Sequence, residues 1–185
     1  MKAIFVFLIL LIQTAFLFGQ TSREINHSDS IRIRKEVESK LQTLKLQLEK
    51  SKSYANDPDK EFAIGFILDT FRIEETYSKM MEIDNSDAGM ENATNGAEAA
   101  YDKLVNKYYK ILIGKLDSTD RDILRKAQKN WLRYRDNERE LNWLLVKDEY
   151  SGGGTIQLLF VYSRILEITK QRLLDIYNYC GRFNN

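Results

Sequence analysis

The chain is 185 residues long, 43% apolar and 30% charged, with one proline, one cysteine and one histidine. Those counts exclude a collagen-like, a disulfide-stapled and an intrinsically disordered chain. The balance of 28 bases against 27 acids argues against nucleic acid or anionic lipid as principal partner, because both demand an excess of Lys and Arg.

Lys2, an uncharged apolar run from Ala3 to Phe18, small Gly19 and polar Gln20-Thr21-Ser22 follow the order of a secretory signal, with cleavage expected near Gly19. As a membrane anchor the run falls short of the ~20 residues a spanning helix needs. No cysteine near Gly19 offers a lipoprotein acceptor, so the mature chain is expected to be exported, periplasmic or secreted, with no transmembrane anchor. Removing residues 1–19 takes away only Lys2 among the charges and leaves a neutral body long enough for a real core. It divides into an N-terminal helical extension over 20–56 and a helical domain over 57–185. Cys180 has no partner within the chain and is either a quiet thiol or a bridge between chains.

One proline and the absence of alternating apolar and polar residues predict an all-α fold. The expected architecture is an antiparallel helical bundle of about five helices with a long C-terminal helical hairpin. The first helix is expected to start near Ser28 to Ser30 and carries Ile33, Val37, Leu41, Leu44 and Leu48 on a narrow stripe. Asn56-Asp57-Pro58 breaks the chain, with Asp57 expected to cap the second helix and Pro58 to open it. That helix runs to about Asp84, and its Phe62, Phe66, Leu68, Phe71, Ile73, Tyr77 and Met80 cover more than one face, as in burial between neighbours. Gly89 and Gly96 make the third helix loose until Ala97, after which Tyr101, Leu104, Tyr108 and Leu112 carry it. Asp117 or Ser118 caps the fourth, whose stripe of Leu124, Ala127, Gln128, Trp131, Arg135, Glu138, Asn142 and Leu145 mixes apolar and polar members. Ser151-Gly152-Gly153-Gly154 ends it, and Thr155 is expected to cap a fifth helix through Leu159, Tyr162, Leu166, Thr169, Leu173 and Ile176.

No nucleotide-binding loop, dinucleotide fingerprint, zinc-protease helix motif, Cys-x-x-Cys or nucleophile elbow occurs. The expectation is a non-enzyme with no catalytic residue, metal or cofactor. Glu24-x-x-His27 lacks the second histidine of a di-iron site, and Glu74, Glu75, Glu82 and Asp84 have the spacing of solvated helix faces. The triple glycine admits three readings: a low-strain chain reversal, a nest of N–H groups for an anion, or the summit of a partner-binding tip. In the last, Asp148, Glu149, Tyr150, Ser151, Gly152 and Gly153 enter a partner's cleft, with Trp143 nearby as an interface residue. Trp131, in mid-stripe, is expected to be structural.

Charge is uneven along the chain. Met80 to Asp102 holds six acids (Glu82, Asp84, Asp87, Glu91, Glu98 and Asp102) and no base, while Arg121 to Arg139 holds seven bases against three acids. Either the two stretches satisfy each other across neighbouring helices, or the acidic one is a landing surface for a cationic protein.

The run from Leu124 to Asp136 (Leu-Arg-Lys-Ala-Gln-Lys-Asn-Trp-Leu-Arg-Tyr-Arg-Asp), the Asp102, Asn106 and Tyr109 spacing, the Gly-Gly-Gly loop and Thr169-x-x-Arg172-x-Leu174 together resemble the LprI-like lysozyme-inhibitor family. These are small exported bacterial helical domains, and the resemblance covers about residues 86–180. It implies an exported protein that inhibits lysozyme; joined to the reading of the residues, the expectation is a non-enzymatic binding protein whose acidic stretch or 148–153 tip contacts a cationic lysozyme-type glycosidase and occludes its cleft. A cell-envelope scaffold or interaction module with no enzyme target, binding through the N-terminal helix, is the alternative. The family's paired cysteines align with Arg139 and with a position near Arg164, so the resemblance also implies a lost disulfide that other contacts must replace. Asn106, Gln128, Arg135, Asp136 and Arg172 are expected to form an interhelical polar network fixing register, or else to line a ligand groove.

Overall fold

The computed structural model describes residues 22–54 and 58–184, so the expected signal and the expected cap Asp57 lie outside the described residues. Five long helices and one short one make up the regular structure: α1 (His27–Lys50), α2 (Lys60–Ile83), α3 (Asp87–Lys115), α4 (Ser118–Leu145), α5 (Asp148–Ser151) and α6 (Ile156–Cys180). Single 3-10 turns follow α1 and α6. Among the described residues there is no strand, and no helix is long and apolar enough to cross a membrane.

Five helix ends differ from expectation. The cap of α1 is Asn26, one turn's reach before the serines, because its side chain accepts from the Asp29 backbone while Asp29 reaches back to the Asn26 N–H in a capping box. α2 begins at Lys60 rather than at Pro58, behind Asp59, which makes no side-chain cap. α3 begins at Asp87, ten residues before Ala97, because Ser86 caps it through the Gly89 N–H. Gly89 is required there, since a Cβ would lie 2.2 Å from Asp84 Cγ and 2.5 Å from its carbonyl oxygen. α4 stops at Leu145, six residues short of Ser151, and Thr155 does not cap α6 with its side chain; its hydroxyl donates to Asp87 instead.

The centre of the molecule is α6 packed along α3. Tyr101, Val105, Tyr108 and Leu112 of α3 meet Leu166, Leu173, Ile176 and Cys180 of α6, closed by Phe66 of α2 and Leu124 of α4. Phe66 stacks on Tyr177 at 3.8 Å between ring centroids and meets Tyr108 edge-on at 5.2 Å, the offset geometries that ring quadrupoles favour. Tyr101 donates to Glu74 and Tyr108 to Asp69, and burial beside those carboxylates pushes both phenols up. Cys180 is wholly buried, its thiol also raised by burial, which suits the quiet-thiol reading and places it out of reach of a second chain.

Two helices flank this centre. α1 lays Ile33, Val37 and Leu41 against Leu68, Phe71, Met80 and Ile83 of α2. α4 returns through α5 to α6 as the expected hairpin, yet the principal partner of α6 is α3. The reason is compositional: α6 buries Val161, Ile165, Leu166, Ile168, Leu173 and Ile176, whereas α4 buries only Leu124. Ala127 and Leu145, expected on the packed stripe of α4, are exposed.

Candidate functional site

The loop joining α4 to α6 is built by its glycines and Ser151. Gly152, Gly153 and Gly154 all have positive φ (77°, 80° and 103°), a conformation side chains resist, so the chain turns without strain. Ser151 Oγ donates to the Val146 and Lys147 carbonyls and accepts from the Gly153 N–H, which closes the turn from inside. Thr155 ties the loop to Asp87 at the start of α3, so the tip is braced against the bundle. Asp148 and Glu149 remain exposed and form no ion pair with any described residue, and Tyr150 is 60% exposed.

Around that tip lies a set of apolar residues of which sequence reasoning had placed only Trp143 and Tyr150 at a surface. Leu141, Leu144 and Leu145 on the last turns of α4 and Ile156 and Phe160 on the first turns of α6 are exposed, as is Trp143, 41% open and edge-on to Tyr162 at 5.9 Å. The signal was present in Trp143-Leu144-Leu145-Val146, since four consecutive apolar residues cannot all face one side of a helix.

The expected polar network divides in two. Arg172, buried on α6, donates through Nε and Nη2 to Gln128 Oε1 of α4 at 3.0 and 2.9 Å. Arg135 of α4 donates to Asp102 of α3 at 2.6 Å, and Asn106 joins only by donating back to Asp102 along its own helix. Trp131 sits beside both guanidinium groups, 4.9 Å from that of Arg135 and 5.8 Å from that of Arg172. Asp136 stays at the surface, 3.7 Å from Arg135 Nε. Glu98 was missed: it accepts from Thr169 and lies 3.8 Å from both Arg135 and Arg139. Its signal was the four-residue step Glu98 to Asp102, mirrored by Arg135 to Arg139 across the helix pair.

The acidic stretch is largely satisfied from within. Asp84 is buried, accepting from Ser22 and Ser86, whose hydroxyls hold its carboxyl below the usual range. Asp87 accepts from Thr155, Glu82 pairs with Lys79, and Glu98 and Asp102 face the arginines of α4, leaving Glu91 without a bonded partner among the described residues. The unpaired acids of the tip are therefore the more available to a cationic partner.

Among the described residues, no group of three or more His, Cys, Asp or Glu could hold a metal ion. The profile of a protein family described as Lysozyme inhibitor LprI matches residues 78–176, a little over half of the chain. No curated protein and no solved structure matches the chain. The matched span runs from the end of α2 to near the end of α6 and leaves α1 outside. Where the resemblance implied a missing disulfide, Arg164 of α6 donates to Glu138 of α4 at 3.2 Å, one residue from Arg139.

Proposed function

The chain belongs to the LprI lysozyme-inhibitor family, and from that membership together with the build of its α4–α6 end we propose an exported, non-enzymatic binding protein. Its target in this reading is a cationic lysozyme-type glycosidase, whose cleft it occludes. The single observation that carries the surface assignment is the tip. Exposed large apolar side chains, Leu144, Leu145, Tyr150 and Phe160, flank the carboxylates of Asp148 and Glu149, which pair with no described cation. An apolar centre desolvates on contact while a charged rim steers encounter, which is the division of labour seen in protein interfaces. The hydrogen bonds of Ser151 and the Thr155–Asp87 contact brace this end, which limits the ordering cost of binding. Export to the periplasm or medium follows from residues 1–19 in this reading.

The test is lysis of bacterial cell walls by lysozymes of several types, with and without the purified protein. Dose-dependent, saturable inhibition is expected, weakened by D148K/E149K and by L144S/L145S. Inhibition indifferent to both pairs would remove the tip from the interface, and no inhibition of any lysozyme would favour the envelope-scaffold reading. Point variants are preferred to deletion of residues 20–56, because α1 covers Leu68, Phe71, Met80 and Ile83.

A further inference from the structure

A second surface, on the flank of the bundle, has an imbalance that the tip does not explain. A cleft of about 300 Å³ opens between α3 and α4, with Asp102, Asn106 and Tyr109 on one wall and Arg125, Gln128, Lys129 and Arg135 on the other. Three cations and one carboxylate line it, and Arg135 has two further carboxylates, Glu98 and Asp136, beside it outside the cleft. Asp102 is already engaged, accepting from Arg135 Nη1 at 2.6 Å and from Asn106 Nδ2 at 3.2 Å. Arg125 meets Asp122 one turn back along α4, but Lys129 forms no ion pair with any described residue.

Behind Gln128 lies a fourth cation. Arg172 is only 8% exposed, and both of its bonded nitrogens donate to the neutral Gln128 oxygen; no carboxylate pairs with it among the described residues. Buried guanidinium groups normally keep a counter-ion, because desolvating an isolated charge costs several kcal/mol. Arg135 adds a further unmet group, its buried Nε having no acceptor within hydrogen-bonding distance. Lys129 on the wall and Arg172 behind it are thus the two cations that no described carboxylate pairs with, and together they favour an anion in the cleft.

The neutral groups narrow its chemistry. Gln128 Oε1 is taken by Arg172, which leaves its Nε2 as a donor; Asn106 Nδ2 is taken by Asp102, which leaves its Oδ1 as an acceptor. One free amide donor and one free amide acceptor complement an amide, and Leu132 and Tyr109 supply apolar surface beside them. We propose that this cleft binds a small ligand carrying a carboxylate next to an amide, with the carboxylate held by Lys129 and Arg125 and the amide read by Gln128 and Asn106. Phosphate would accept from Gln128 but offer no amide N–H to Asn106, and would bring a second negative charge towards Asp102. The site is independent of the tip and of any lysozyme target.

The experiment is titration of the protein with N-acetyl-L-alanine, followed by amide NMR shifts. N-acetyl-L-alanine amide and inorganic phosphate at matched ionic strength serve as comparisons. Saturable shifts confined to residues 102–109 and 125–135 are expected with the carboxylate, and binding at least about tenfold weaker with either comparison, as loss of one charged hydrogen bond implies. K129Q, at an exposed position without internal partners, is expected to weaken the carboxylate about tenfold while leaving the circular dichroism unchanged. Absence of saturation, phosphate binding as tight as the carboxylate, or a carboxylate affinity unaltered by K129Q would each overturn the assignment.

Discussion

α1 and α4 are both amphipathic helices laid on the outside of the same α2–α3–α6 centre, and they are attached by opposite means. α1 is held by a dry seam of Ile33, Val37 and Leu41, with ion pairs such as Arg72–Glu38 and Lys40–Glu75 at its margins, and turns Lys, Glu and Gln to water. α4 buries a single apolar residue, Leu124, and is held by Gln128–Arg172, Arg135–Asp102 and Glu138–Arg164. Its large apolar residues Ile123, Leu141, Leu144 and Leu145 point outward. Apolar burial is non-directional and scales with area, whereas buried polar pairs fix one register. The lesson of the pair is that a helix attached through polar contacts leaves its apolar surface free for another molecule.

The largest expected effect comes from breaking the seam that depends on area. L41A removes a 5%-exposed side chain from the α1–α2 contact and is expected to cost about 2–5 kcal/mol, read as a lowered urea midpoint. Next is the polar seam of α4. Q128L takes away the acceptor that both bonded nitrogens of Arg172 share and is expected to cost about 1–3 kcal/mol. Replacing both members, Q128L/R172M, removes the need together with the acceptor and should recover most of that loss. A double variant no better than Q128L alone would mean that Arg172 holds the helices by something other than Gln128.

The same contrast explains what could be read from the sequence. Helix type, the narrow stripe of α1 and the inward residues of α6 were legible because three- and four-residue apolar steps report burial directly. The members of the polar seam were recognisable as residues needing partners, but not their pairing: Asn106 bonds within its own helix, Asp136 stays outside, and Glu98 enters from α3. Pairing depends on which helix lies alongside which, and a hydrogen bond between α4 and α6 residues leaves no period in the chain. The start of α3 was hidden because Gly89 reads as a breaker unless Asp84 is known to crowd it. The tip was legible as a loop with acids beside Trp143; the run Trp143-Leu144-Leu145-Val146 shows that some of its members face water, but not which, because a Leu that faces water resembles one that faces the core.

A weaker effect should separate the two sides by pH. Arg23, hydrogen-bonded to both carboxylate oxygens of Asp29, holds that carboxyl well below its ordinary value, helped by the Asn26 N–H. Ser86 and then Ser22 do the same for Asp84. Because both folded values are depressed, their contribution is complete above the unfolded carboxylate value, about 3.9, and is lost as pH falls through the folded one. Amide exchange below about pH 4 should therefore accelerate first at residues 22–33 and 84–90, ahead of the α3–α6 centre. D29N should abolish that difference for the start of α1; an unchanged acid response would place the sensitivity in other carboxylates.

The smallest effect on stability is expected where the effect on binding is greatest. L144S/L145S alters side chains 41% and 49% exposed, so each substitution should change folding stability by no more than about 0.5 kcal/mol, the usual range for surface positions. If the outward face of α4 is an interface, the same pair should lower affinity for the partner at unchanged urea midpoint. Loss of stability by several times that amount would show that these leucines contribute to holding α4 in place. The contrast with α1 would then fail, because α4 too would be attached through its apolar surface. Unchanged stability with weakened binding would establish that α4 is held by its polar seam and recognises a partner through the apolar face which that seam leaves uncovered.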